Sequence, residues 1–170
     1  LKKYEQIMAY FNSNPAPILN WEDEHFLLFK RTYNHFYRVR RNEEFQKRYF
    51  QLLFENDRDC QFGYLLEEIY KQTNRLEASF ASKMMHTLNP EMPIWDAEVL
   101  KKVKVNAPKY WSSNRKSETI LCYKHIQKWY NETLTSGEGK SMLAIFNSKC
   151  GAIKITDLKK IDFMLWQQDR

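Results

Sequence analysis

The chain has 170 residues, of which 43% are hydrophobic, 15% aromatic and 28% charged, with a formal net charge of +6. This composition excludes a disordered tail, the length predicts one domain over 1–170, and no run approaches the ~20 apolar residues of a membrane span. Four glycines and five prolines are too few for the many tight turns of a β-sandwich, so the expected fold class is all-α, a compact multi-helix domain.

Tyr4, Ile7, Met8 and Phe11 fall at helical spacing and predict an N-terminal helix, which the prolines of NSNPAPILN break into an extended linker. Asn20 is expected to cap a second, aromatic helix carrying Phe26, Phe29, Tyr33, Phe36 and Tyr37 and ending in YRVRR. Phe45, Tyr49, Leu52 and Leu53 mark a third helix, and Phe62, Leu65, Leu66, Ile69 and Tyr70 a fourth that Gly63 interrupts only weakly. Such aromatic stripes are core faces, because packed helices must bury them. A fifth helix, about Arg75 to Leu88, carries the small residues Ala78, Ser79, Ala81 and Ser82, which permit a close helix crossing, and the prolines of NPEMP end it.

Asp96 then opens a helix through Val99, Leu100 and Val103, and VNAPKYWSSNRKS reads as a loop. A long amphipathic stretch from about Glu118 to Tyr130 is expected to bury Ile120, Leu121, Ile126 and Trp129. SGEGKS reads as a helix-to-helix turn, Met142 to Phe146 as a short helix and Gly151 as its break. Thr156 can cap a last helix whose Leu158, Ile161, Phe163, Leu165 and Trp166 give an anchoring face.

Several chemistries fail on spacing. GEGKS ends like a phosphate-binding loop, but Leu134 stands where the motif needs its first glycine, and KWYNETLT resembles a helix end where a buried strand should stand. His25, His35, His86 and His125 form no i, i+4 pair and no cluster with Cys or acid, so no metal and no cofactor are expected; His86 reads as a packed or solvated histidine. Cys60, Cys122 and Cys150, odd in number and far apart, read as buried reduced thiols. With no signal-peptide pattern at the N-terminus, a cytoplasmic location and no membrane partner are expected.

The net charge is concentrated. Ala97 to Lys128 holds eight basic residues against two acidic, while the remainder balances nineteen against nineteen. Such a window can steer a polyanion and gain affinity by releasing counterions from phosphates.

The order of a helix rich in small residues, a short turn, PIW, Asp96 and a helix beginning AEVLKKV resembles the helix-hairpin-helix DNA glycosylase superfamily. PIWDAEVLKKV places Asp96 at that family's catalytic aspartate and Val99 at its buried valine, and TDLKKIDFMLWQ resembles its closing helix. The Ser-Lys, Asn-Pro and Pro-Ile-Trp-Asp elements also resemble small uncharacterised bacterial proteins. The resemblance implies the glycosylase fold, double-stranded DNA as partner, and monofunctional base excision in DNA repair with Asp96 stabilising the sugar cation. The local charge excess marks Lys101, Lys102, Lys104, Lys109, Arg115 and Lys116, together with Lys83 ahead of Asp96, as candidate DNA contacts. The plain reading of Lys101, Lys102 and Lys104 is a solvated helix end whose cations complement the dipole.

Two departures narrow this. Arg75 to Lys83 holds no glycine, where the family hairpin binds a phosphate through a Gly-x-Gly turn, and Lys83 stands later in its helix than the lysine nucleophile of bifunctional members. Schiff-base strand cleavage is therefore not expected, and the alternative is a non-catalytic DNA- or protein-binding module on the same scaffold. Asp96 as helix cap and Trp95 as core anchor are the plain readings of those two residues.

Overall fold

The computed structural model describes residues 1–14, 19–151 and 153–167. Among them there are nine α-helices and no strand: α1 Lys2–Ser13, α2 Glu24–Tyr37, α3 Glu43–Glu55, α4 Phe62–Thr73, α5 Ala78–Leu88, α6 Ala97–Val103, α7 Arg115–Thr135, α8 Gly137–Cys150 and α9 Asp157–Gln167. No helix among the described residues is long and apolar enough to cross a membrane.

One hydrophobic cluster runs from Ile7 in α1 to Leu165 in α9. Its first half is aromatic: α1 lies along α2, and Phe26 meets Phe50 edge to face with centroids 5.9 Å apart, the arrangement that ring quadrupoles favour. Buried hydroxyls are chained to backbone, Tyr33 to Tyr49 at 3.0 Å and Tyr49 donating to the Phe80 carbonyl at 3.0 Å. The second half joins α4 to α7 through the stacked pair Phe62 and Tyr123, 3.9 Å apart. Helices α7, α8 and α9 pack on one another, and α6 touches both α7 and α9.

Several elements differ from their sequence reading. Asp23, not Asn20, caps α2, accepting from Phe26 N at 3.0 Å, while Asn20 makes a local turn to Glu22 N. Residues 15–18 of the proline linker lie outside the described residues. Tyr70, placed on the core stripe of α4, is exposed. Helix α7 is longer than expected, taking in Arg115 and Lys116, and it buries Thr119, Cys122, Tyr123, Ile126 and Tyr130 while Leu121 is exposed.

SGEGKS does join two helices, but the turn is Ser136 alone and the rest already belongs to α8, which the Ser136 side chain caps by accepting from Gly139 N at 3.0 Å. A Cβ at Gly139 would lie 1.9 Å from the Thr133 carbonyl oxygen, so glycine is required by the closeness of that junction. Gly151, at φ 74°, does end α8, and Thr156 caps α9 by accepting from Lys159 N. Of the face assigned to α9, Leu158, Ile161 and Leu165 are buried, whereas Phe163 and Trp166 are only half-buried. All three cysteines are free, but only Cys122 is buried; Cys60 is half-buried and Cys150 exposed.

Candidate functional site

Helices α4 and α5 form a hairpin that closes without glycine. Asn74 ends α4 in the left-handed region at φ 52°, a conformation Asn tolerates because its side chain is short and polar. Ala78, Ala81 and Ser82 are buried on α5, as the small-residue reading requires of a close crossing.

Beyond α5 the backbone of NPEMPIW is pinned by four side chains, two from α5, one from α7 and one at the start of α9. Ser82 Oγ accepts from Trp95 N at 2.9 Å, His86 Nδ1 donates to the Met92 carbonyl at 2.6 Å, Tyr123 donates to the Pro93 carbonyl at 2.8 Å, and Thr156 donates to the Pro90 carbonyl at 3.0 Å. These bonds satisfy backbone polar groups that would otherwise be buried unpaired. His86 is thus a core histidine: its other ring nitrogen lies 3.0 Å from the Tyr4 hydroxyl, and burial, reinforced by the Lys159 charge, lowers its pKa to about 3. Trp95 and Val99 are buried, and Asp96 is held between them.

The Asp96 carboxylate divides its work between two oxygens. Oδ1 accepts from Val99 N at 2.9 Å and caps α6; Oδ2 is closed to solvent and has no hydrogen-bond partner among the described residues. Burial raises the Asp96 pKa and the Asp162 charge adds to the rise, while the Val99 and Glu98 amides and the Trp166 indole oppose it. The indole thus faces the carboxylate without reaching Oδ2 in hydrogen-bond geometry.

Lys83 completes the arrangement. It is half-buried on α5, its Nζ 5.4 Å from the Phe80 ring centroid, and burial lowers its pKa to about 8, with Asp96 pulling it back up and Arg38 pushing it down. Arg38 ends α2 in the left-handed region at φ 55° and sits 5.7 Å over the Trp166 ring. Lys83 from α5 and Trp166 from α9 therefore face Asp96, and Arg38, at the end of α2, stands near both of them. Behind them Asp162 is buried in a pair with Lys159, 2.6 Å apart, and accepts from the Tyr130 hydroxyl at 3.2 Å.

A cleft of about 830 Å³ opens between the α2–α3 connection, α3 and the hairpin. Arg40, Arg41, Arg48, Lys71 and Arg75 line it together with Glu44, Glu68 and Glu77. Arg41 is tied to Glu77 and Lys71 to Glu68, while Arg40, Arg48 and Arg75 form no ion pair among the described residues. Arg41 also lies 5.5 Å over the Phe80 ring that Lys83 approaches, so cations run from the cleft to Asp96.

The remaining cations expected at the site are placed differently. Lys101 and Lys102 occupy the last turn of α6, away from the end that Asp96 caps, and Lys101 pairs with Glu98 at 2.8 Å. Lys104 caps the far end of α6 in the left-handed region, Lys109 lies in the following loop 5.7 Å from the Trp111 ring, Arg115 lies 5.0 Å from the Tyr110 ring, and Lys116 pairs with Glu67 of α4. Sequence reasoning missed Arg38, Arg40, Arg48 and Arg75, which are scattered over three segments, and the buried charges Lys159 and Asp162. The last two left one trace, an i, i+3 pair of opposite charges inside the apolar stripe of α9. No group of three His, Cys, Asp or Glu side chains among the described residues is placed to hold a metal ion.

No family model matches the chain, and no curated protein or solved structure matches it. What the site does is therefore read from its own residues and geometry.

Proposed function

We propose that the chain processes nucleic acid as a DNA N-glycosylase, with Asp96 stabilising the sugar cation that forms as a base leaves. The observation that carries this reading is the Oδ2 oxygen of Asp96, unpartnered and withdrawn from water beside the half-buried amine of Lys83. A carboxylate in a dry site acts more strongly on a developing positive charge than one in water. The target base must leave the stack to reach it, and the arginine-lined cleft, whose Arg41 lies over the Phe80 ring that Lys83 also approaches, supplies cations for the flanking phosphates.

Lys83 supports a stronger version of the same reading. An amine with a pKa of about 8 is partly neutral near pH 7 and is then a nucleophile. Attack of Nζ at C1′ of the deoxyribose would break the N-glycosidic bond, the base leaving with its electron pair and taking up a proton. Cleavage of C1′–O4′ with transfer of an amine proton to O4′ would then open the sugar to an imine, a route the lysine's place in the sequence argued against. The non-catalytic binding reading also has an observation of its own, since Oδ2 has no exposed surface and the cleft described above is lined by neither Asp96 nor Lys83.

A panel of duplexes, each carrying one damaged base, tests both. Release of a base by the wild-type chain, reduced about 100-fold or more in Asp96→Asn at unchanged fold, is the expected result. Borohydride trapping of a covalent adduct that Lys83→Ala abolishes establishes the imine route. Binding without base release on any duplex leaves the non-catalytic module.

A further inference from the structure

Tyr110 and Trp111 are 81% and 79% exposed, the two most exposed large hydrophobic side chains described. Burying both rings would be favourable, and nothing in the fold does so. The loop that presents them is nonetheless ordered by its own hydrogen bonds: Ser112 N to the Lys109 carbonyl, Arg115 N to the Ser112 carbonyl, and Ser112 Oγ to Glu118 at 2.8 Å. Each ring has a cation beside it, Lys109 at Trp111 and Arg115 at Tyr110, and Lys104 stands at the start of the same connection. No acidic residue occurs between Glu98 and Glu118.

We infer that this loop is a second nucleic-acid site, which stacks unpaired bases on Tyr110 and Trp111 while Lys104, Lys109 and Arg115 hold the adjoining phosphates. Aromatic rings stack on any base whose face is free, and interleaved cations serve the backbone between bases. A paired duplex hides base faces, so the ligand class is single-stranded or locally unpaired nucleic acid. An anionic membrane is the other surface that attracts aromatic and basic residues together, but insertion needs apolar area, and beside the two rings the connection from Lys104 to Ser117 holds only Val105, Ala107 and Pro108, of which Val105 packs against the core. The inference is independent of the chemistry at Asp96, because its readout is binding to undamaged strands.

The test uses the whole chain and a fluorescein-labelled oligodeoxythymidylate, with a duplex of equal length and phosphatidylserine vesicles as comparison surfaces. Trp111→Ala is expected to weaken oligodeoxythymidylate binding about tenfold or more, to remove the quenching of tryptophan fluorescence that binding causes, and to leave duplex binding unchanged. Tyr110→Ala is expected to weaken the same binding, and both variants change exposed positions and should keep the wild-type melting temperature. Equal oligodeoxythymidylate affinity in wild type and Trp111→Ala, or no binding by the wild type, overturns the inference. So does Trp111-dependent vesicle binding without any Trp111 effect on the oligonucleotide.

Discussion

Asp96 joins local structure to candidate chemistry in one side chain. Its Oδ1 holds the first turn of α6, a bond of the kind that contributes about 1 kcal/mol, so Asp96→Ala would confound stability with activity, whereas Asn keeps the cap and removes the charge. His86 illustrates a different constraint. Its imidazole is neutral because its surroundings exclude water and the Lys159 charge repels a second proton, which together outweigh the Met92 carbonyl and Asp162, both of which favour the charged ring. Its folded pKa, about 3, lies below the unfolded value of 6.5, so the unfolded chain takes up the proton first. Stability associated with His86 is therefore complete above about pH 6.5 and is lost as pH falls toward about 3. Urea unfolding across this range should show the decline, and NMR should find the His86 ring still neutral at mildly acidic pH; a ring titrating near its unperturbed value would sink the assignment.

Helices were legible as periodicities, and their boundaries were settled by competition among neighbours. Asn20 and Asp23 are both good caps; Asn20 is taken up by a local turn to the Glu22 amide, and Asp23 accepts from the His25 and Phe26 amides at the start of α2. In α7 Leu121 competes with a seam of Thr119, Cys122, Tyr123 and Ile126, beside which Ile120 is partly buried; the seam wins because Tyr123 both stacks on Phe62 and bonds the Pro93 carbonyl. SGEGKS looked like a turn because two glycines usually mean one. Here Gly139 is needed inside a helix for want of space beside Thr133. Gly139→Ala is expected to destabilise the fold by about 1–3 kcal/mol, as overpacking does, despite the better helix propensity of alanine. A variant as stable as wild type in chemical denaturation would show that the α7–α8 junction relaxes freely.

At the scale of the molecule, charge is redistributed by folding. The only excess visible along the chain lies between Ala97 and Lys128, yet the fold gathers Arg40, Arg41, Arg48, Lys71 and Arg75 from the part that balances to zero. If that cleft carries duplex phosphates, replacing Arg40, Arg48 and Arg75 together by Glu should weaken duplex binding and flatten the dependence of log K on log salt by about one unit per lost phosphate contact. Reversal of Lys101, Lys102 and Lys104 should leave that slope nearly intact. The opposite pattern would return duplex binding to the window after α6.

The sequence by itself determined the all-helical class, the helix break at NPEMP, Asp96 as the start of α6 and Trp95 as a core residue, because periodicity, proline geometry and capping act over a few residues. Only the tertiary structure decided what faces Asp96: Lys83 came from α5 and Trp166 from α9, with Arg38 from the end of α2 near both. It also decided that Leu121 faces solvent while Lys159 and Asp162 are buried together. Burial and pKa depend on groups brought together from distant segments, and no local pattern records which segments will meet.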